Sequence, residues 1–481
     1  MFRSKSLVPD STQSLSKAAL FGALPPAWPE DLLACIRAAA STRTLVVLDD
    51  DPTGTQTVSN IVVVTAWDVP TLQAELAGAP ACFYILTNSR SLTADASRAL
   101  HRELAANLRT ASAATQRPIV VASRSDSTLR GYYPLETDTL AEILGPFDAT
   151  LLTPYFEAGG RYTVNDTHYV AEGDRLVPAA ETPFARDAAF GYRHSHLPSW
   201  VEEKTAGRVR AADVARISLE LIRCGGPTAV TEKLRALPPG TVCVVNAAAP
   251  RDMEVVAAAT LAAEKAGSRF LYRTAAALVA ARIGQSPHGI LSSTAFTTET
   301  THGGLIVVGS YVPKTTTQLQ ALLADERLTA IELSVPDLLE PAARAATLGH
   351  AITAMNRAIA AGRDTVVYTS RTLITSTDAA TSLDIGRRIS DALIAIVQGL
   401  TVTPRYLIAK GGITSSDTAT RGLGVRRAMV LGQAIPGVPV WQLGPESKYP
   451  GLGYVVFPGN VGADTALADL VARLHPVQTP Q

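Results

Sequence analysis

The feature that most narrows the folds open to this chain is an alternation: short β-branched apolar runs, each only a strand long, separated by Ala- and Leu-rich stretches of helical length. The runs fall at residues 45–48, 61–64, 82–86, 119–122, 150–153 and 242–245, with helix-like segments at 72–76, 94–108 and 252–266. Such alternation marks a parallel sheet, because parallel neighbours need a crossover that a helix supplies. A second block repeats the pattern, with strands at 305–308, 329–333, 365–368 and 406–409 and helices near 316–324, 342–361 and 379–398. Between the blocks, residues 285–304 are rich in Ser, Thr, Gly and Pro and read as a linker. The chain has 481 residues, enough for two large domains or three of roughly 150 residues each. The expectation is an α/β protein with an N-terminal arm and helix at 1–43, one domain at 44–295 and a second at 296–481. From 157 to 210 the alternation weakens and Tyr, His, Arg, Thr and Pro accumulate, which reads as an extended functional or dimerising loop.

Composition excludes several classes of function. Lys plus Arg (43) balances Asp plus Glu (43), so no overall field attracts nucleic acid or an anionic membrane surface. With 47% apolar and 18% charged residues the chain has material for buried cores. No apolar run approaches the roughly 18 residues of a membrane span, and the N-terminus lacks the apolar segment of a signal peptide. Cys35, Cys82, Cys224 and Cys243 are too dispersed for a zinc knuckle or a disulfide framework. A cytoplasmic enzyme with small-molecule partners is the expectation.

Polar clusters follow three of the first-block strands directly. Asp49, Asp50 and Asp51 lead into Pro52-Thr53-Gly54 after the run 45–48. Three adjacent carboxylates at a strand's carboxyl end repel one another unless cations or ligand hydroxyls neutralise them, and that end is where open α/β sheets bind ligands. One of them could simply cap the next helix. Thr87-Asn88-Ser89-Arg90 follows 82–86, and Arg90 brings a planar cationic fork suited to carboxylate or phosphate. After 119–122 comes Ser123-Arg124-Ser125-Asp126-Ser127-Thr128-Leu129-Arg130-Gly131, in which Asp126, Ser127 and Thr128 can bind sugar-type hydroxyls and Arg124 and Arg130 supply charge. Three such clusters would converge on one crevice.

The second block carries small-residue loops instead: Val308-Gly309-Ser310, Lys410 to Asp417 with Gly411-Gly412-Ile413-Thr414, and Pro458-Gly459-Asn460-Val461-Gly462. Loops of this kind let backbone N–H groups approach a phosphate. Neither a GxxxxGK[ST] nor a GxGxxG motif occurs, so a nucleotide would be held by a less common loop set.

Taken in order, these pieces resemble the four-carbon acid sugar kinase family: the turn Asp50 to Gly54, Thr87 to Arg90, Asp126 to Gly131, Glu157-Ala158-Gly159 with Thr163-Val164-Asn165, Val308 to Ser310, Gly411 to Ser415, and Gly459 to Gly462. The resemblance runs from about Thr44 to the C-terminus. It implies two α/β domains with largely parallel sheets and an active-site cleft between them, acid sugar on the first domain and ATP on the second. The implied activity is ATP-dependent phosphorylation of threonate, erythronate or a 3-oxo-tetronate. Carried over by motif, Asp50, Asp51, Arg90, Asp126, Ser127, Thr128 and Arg130 contact substrate, while Ser310, Gly411, Gly412, Ile413, Thr414, Gly459 and Asn460 contact ATP. The longer N-terminal arm, the Tyr/His-rich stretch 161–205 and the additional Asp49 depart from the family pattern.

Phosphoryl transfer asks for positioning, charge neutralisation and a carboxylate to take the hydroxyl proton. Asp51 is the first choice for that base and Asp126 the rival. Arg90 or Arg130 would grip the substrate carboxylate, and Asp49 or Asp50 could assist a Mg2+ on the ATP phosphates. A homodimer is expected. Two other classes compete. Asp49-Asp50-Asp51-Pro52-Thr53 satisfies the D-x-D-x-T motif of haloacid-dehalogenase-type phosphatases, which would show itself by transient phosphorylation of Asp49. A non-catalytic sugar-acid-binding protein would consume no ATP.

Overall fold

A computed structural model describes residues 14–286, 289–371 and 379–475; residues 1–13 of the expected arm lie outside them. The chain divides into two compact units, Met1–Asp50 with Trp67–Pro287, and Asp51–Ala66 with His288–Gln481. Both are α/β units.

In the first unit the sheet order is Ala215–Ile217, Thr241–Val245, Ala149–Thr153, Phe270–Thr274, Ile119–Arg124, Thr44–Asp49, Cys82–Leu86, and every neighbouring pair is parallel. Burial on both faces explains the continuous apolar runs: all six residues of Thr44–Asp49 and all five of Cys82–Leu86 are buried. From Thr44–Asp49 the chain moves to Cys82–Leu86 on one side and then to Ile119–Arg124 on the other. The strand order therefore reverses beside Thr44–Asp49, which opens a crevice at the carboxyl ends.

The stretch expected as an extended loop is folded. Arg161–Val164, Thr167–Glu172 and Arg175–Pro178 form an antiparallel meander, extended by Leu15–Ser16. Val170 of this meander, with Leu197, Trp200 and Val201 of the helix Leu197–Lys204, joins Leu129, Tyr133 and Leu152 in one cluster. Isolated Tyr and His residues on two-residue alternation gave too weak a periodicity to separate from a loop.

In the second unit the order is Ile61–Val64, Arg427–Ile435, Val438–Leu443, Gly453–Phe457, Leu407–Lys410, Leu305–Val308, Thr365–Thr369, Thr329–Leu333. The first three pairs are antiparallel and the remaining four parallel. Residues 61–64, expected in the first domain, thus belong to the second unit. The turn Pro52–Thr57 is held there as well, where Trp441 Nε1 donates to Thr55 Oγ1 at 3.0 Å. Here the strand order reverses beside Leu305–Val308, flanked by Thr365–Thr369 and Leu407–Lys410.

Candidate functional site

At the carboxyl ends of the first unit's sheet, the polar clusters meet as a layered network. Its buried layer pairs Arg124 with Asp49, Nη1 to Oδ1 at 2.9 Å, and places the same nitrogen 3.6 Å from Asp50. Asp50, 1% exposed, also accepts from Ser125 Oγ. Burial pushes the Asp50 carboxyl up, against the opposing pull of Arg90 and Arg124. Glu136, equally buried, accepts from Ser89 Oγ at 2.6 Å and Ser123 Oγ at 3.3 Å, which ties two strand ends together.

The outer layer consists of Arg90, Asp126 and Arg130, with side chains 17%, 14% and 25% exposed. Arg90 spans the layers, with Nε 3.1 Å from Asp50 and Nη1 3.9 Å from Asp126. Asp126 accepts from Arg130 Nε at 2.7 Å and from Thr128 Oγ1. Burial would raise its carboxyl, but Arg130 and Arg90, with the hydrogen bonds from Arg130 and Thr128, hold it well below the usual carboxylate range. Ser127 is fixed through its backbone: its carbonyl accepts from His168 Nε2 at 2.7 Å. Since that carbonyl can only accept, His168 carries its proton on Nε2, and Nδ1 faces Thr163 Oγ1 at 2.9 Å. Burial lowers the imidazole to about 4. Tyr192 OH donates to the Thr128 carbonyl at 2.7 Å, so the folded 161–192 stretch braces the Asp126–Thr128 loop from behind.

Asp51 parts company with its two neighbours. It lies in the second unit, where its carboxylate accepts from Thr53 N at 2.9 Å and caps the turn Pro52–Thr57. A Cβ built on Gly412 would come within 2.5 Å of Asp51 Oδ2, so this carboxylate stands against the Gly411–Gly412 loop. Asp50, expected to contact substrate, is part of the buried layer and supports Arg90 from beneath. Arg273 was missed altogether. It ends the buried strand Phe270–Thr274, is 3% exposed and donates to the Arg130 carbonyl at 3.3 Å. An arginine inside an apolar run, FLYRT, was the available signal.

The three small-residue loops of the second unit also converge, each at a strand's carboxyl end. Thr315 Oγ1 donates to the Gly459 carbonyl at 3.0 Å and lies 3.3 Å from Ser310 Oγ. Gln318 Nε2 bonds the carbonyls of Val461 and Ala463 at 2.9 and 2.7 Å. Lys410, fully buried, donates to the Pro458 carbonyl at 2.5 Å and the Gly459 carbonyl at 3.3 Å, and stands 4.1 Å over the Phe457 ring. Burial, with repulsion from Lys314, pulls its ammonium down to about 7. Gly411 adopts φ +116°, open to glycine and strained for other residues, and the amides that begin the following turn at Gly412, Ile413 and Thr414 have no partner within it. Thr414 is nearly buried, whereas Ile413 is 56% exposed and Asn460 also faces solvent.

Asp49 and Asp50 do not fit a resident Mg2+, because their oxygens face guanidinium groups and a serine hydroxyl. Among the described residues no group of three or more His, Cys, Asp or Glu side chains is placed to hold a metal ion, and no helix is long and apolar enough to cross a membrane.

Two family models match the chain, one described as a sugar-binding N-terminal domain over residues 45–282 and one as a nucleotide-binding C-terminal domain over residues 305–467. No curated protein matches it. Among solved structures, a Salmonella typhimurium LT2 protein described as a putative tRNA synthase is 17% identical, covering 89% of this chain and 98% of its own, with a TM-score of 0.63. A Haemophilus influenzae protein assigned to a family of unknown function is also 17% identical, covering 90% and 100%, with a TM-score of 0.59. At such identities the likeness is one of fold.

Proposed function

Starting from a chain that belongs to the four-carbon acid sugar kinase family, with its sugar-binding and nucleotide-binding domains in sequence, we propose that it transfers the terminal phosphate of ATP to a hydroxyl of a four-carbon sugar acid such as threonate, erythronate or a 3-oxo-tetronate. The observation that carries this reading is the outer layer of the first unit's network, where two partly exposed guanidiniums, Arg90 and Arg130, flank a carboxylate. The cations suit the substrate's carboxylate, while Asp126, Ser127 and Thr128 suit its hydroxyls. A neutral tetrose would bring no carboxylate to these cations.

Asp126 is too weak a base to take the hydroxyl proton, since its arginine partners stabilise the anion. Asp51 fills that role in this reading, because it alone of the three consecutive aspartates lies with the phosphate loops. As the hydroxyl oxygen bonds to the γ-phosphorus, its proton passes to Asp51, and the β,γ-bridging oxygen leaves with its electron pair on ADP. Ser310, Gly411 to Thr414 and Gly459 supply backbone and hydroxyl donors to the triphosphate, which arrives as its Mg2+ complex. The phosphatase alternative lacks support: Asp49, its nucleophile, is 1% exposed and paired with Arg124.

A coupled ADP-release assay with threonate, erythronate, their 3-oxo forms and neutral tetroses tests the proposal. Turnover with at least one acid and little with erythrose is expected. Equal rates with erythrose and erythronate would remove the carboxylate clamp, and ATP-independent phosphate release with labelled Asp49 would restore the phosphatase.

A further inference from the structure

Among the described residues of the second unit, Arg371 is a cation at the phosphate loops whose hydrogen-bonding capacity is largely unspent. We propose that Arg371 contacts the phosphates of the bound nucleotide, an inference that rests on the nucleotide reading above and assigns a residue to it. Arg371 lies just beyond Thr365–Thr369, the strand beside Leu305–Val308 at the reversal of strand order. It therefore stands at the same carboxyl ends as the three small-residue loops. Its Nη2 donates to the Ser310 carbonyl at 2.7 Å and to Thr316 Oγ1 at 2.8 Å, which fixes the guanidinium against the Ser310 loop and the first turn of the helix Pro313–Leu323.

Nε and Nη1 of Arg371 are both buried and have no hydrogen-bond partner among the described residues. Burial lowers this guanidinium from its ordinary value. A buried donor of a charged group left unmade is costly, and a planar fork with two open N–H directions matches a phosphate better than any neutral acceptor. Two other cations near these loops are engaged: Lys410 spans the Pro458 and Gly459 carbonyls, and Lys314 pairs with Asp464 at 2.8 Å. A purely structural Arg371 would need only Nη2, and its remaining donors would then be a cost without return.

The test is isothermal titration of the full chain and of Arg371→Met and Arg371→Lys with ATP, ADP and adenosine at two salt concentrations. Loss of a charged hydrogen-bonding group should weaken ATP and ADP by roughly 10- to 100-fold in Arg371→Met. Adenosine should change by less than about two-fold, Arg371→Lys should recover part of the loss, and the salt dependence of ATP binding should become shallower. Equal weakening of ATP and adenosine would show that Arg371 only positions the loop and would overturn the proposal, as would unchanged ATP affinity. Failure of the unsubstituted chain to bind ATP or ADP would instead overturn the nucleotide reading. Arg371→Lys, which keeps the charge, serves if Arg371→Met does not fold.

Discussion

At the strand ends of the first unit, the candidate ligand contacts are charged side chains: Arg90, Asp126 and Arg130 on the outside, each seated on a buried partner or a braced loop. At the strand ends of the second, they are mostly backbone and hydroxyl groups on Gly411, Gly412, Thr414, Ser310 and Gly459, knitted together by Lys410, Thr315 and Gln318. The contrast follows from the ligands proposed. A sugar acid varies in hydroxyl stereochemistry and is selected by directional side chains, whereas a polyphosphate presents repeated anionic oxygens that closely approaching amides satisfy. Specificity should therefore be alterable by side-chain exchange in the first unit, while the second should be sensitive to added bulk.

The largest effect should come from the residue that departs from its neighbours. If Asp51 is the base, Asp51→Asn should lower kcat by roughly 10²- to 10⁴-fold while calorimetry shows both ligands still bound. If it only caps Pro52–Thr57, stability should fall by about 1 kcal/mol with kcat nearly intact. Asp49→Asn should cost less in kcat than Asp51→Asn, and the reverse order would break the assignment.

Next comes added bulk in the second unit. In Gly412→Val the new side chain must displace Asp51 or shift the loop, so ATP affinity should fall by at least ~100-fold, the scale of a severe steric substitution. Sugar-acid binding without nucleotide should survive. Equal loss of both ligands would show that the two modes of recognition are not separable.

The units should also differ in their response to pH. Buried His168 titrates near 4 in the fold against about 6.5 when unfolded. Between those values the unfolded chain binds more protons, so the contribution of neutral His168 is fully present above about pH 6.5 and lost as pH falls through about 4, amounting to ~3 kcal/mol. Lys410, near 7 in the fold against about 10.5 unfolded, gives the unfolded chain the extra proton across that window. Stability should accordingly rise with pH from about 7 to 10.5. Denaturant titrations should show that His168→Gln flattens the acid limb and Lys410→Met the alkaline one. If either substitution leaves its limb unchanged, that group is not the source.

Gly459→Ala should have the smallest effect. The added methyl would meet Ser310 Oγ and Val312 Cγ2 at 3.4 Å, an ordinary contact, so stability should hold and ATP affinity should change by about two-fold. A much larger loss of affinity would bring a phosphate directly onto Gly459 and sharpen the picture of the second unit.

Local pattern in the sequence determined the α/β class, the positions of most strands, and the clustering of Asp, Arg, Ser and Gly at their carboxyl ends. Burial on both faces writes continuous apolar runs, and crossover helices write a helical period between them, so both signals lie within short windows of chain. Tertiary structure decided what depends on partners distant in sequence. Nothing within residues 49–51 says that Asp49 and Asp50 join Arg124 and Arg90 while Asp51 stands against Gly412. Nor does the run 61–64 announce that it pairs antiparallel with Arg427–Ile435. The meander at 161–178, the place of Arg273 beneath Arg130 and the unspent donors of Arg371 likewise appear only once strands find their neighbours. Strand pairing is non-local, and a residue's hydrogen-bond partners, unlike its periodicity, are set by what the fold brings beside it.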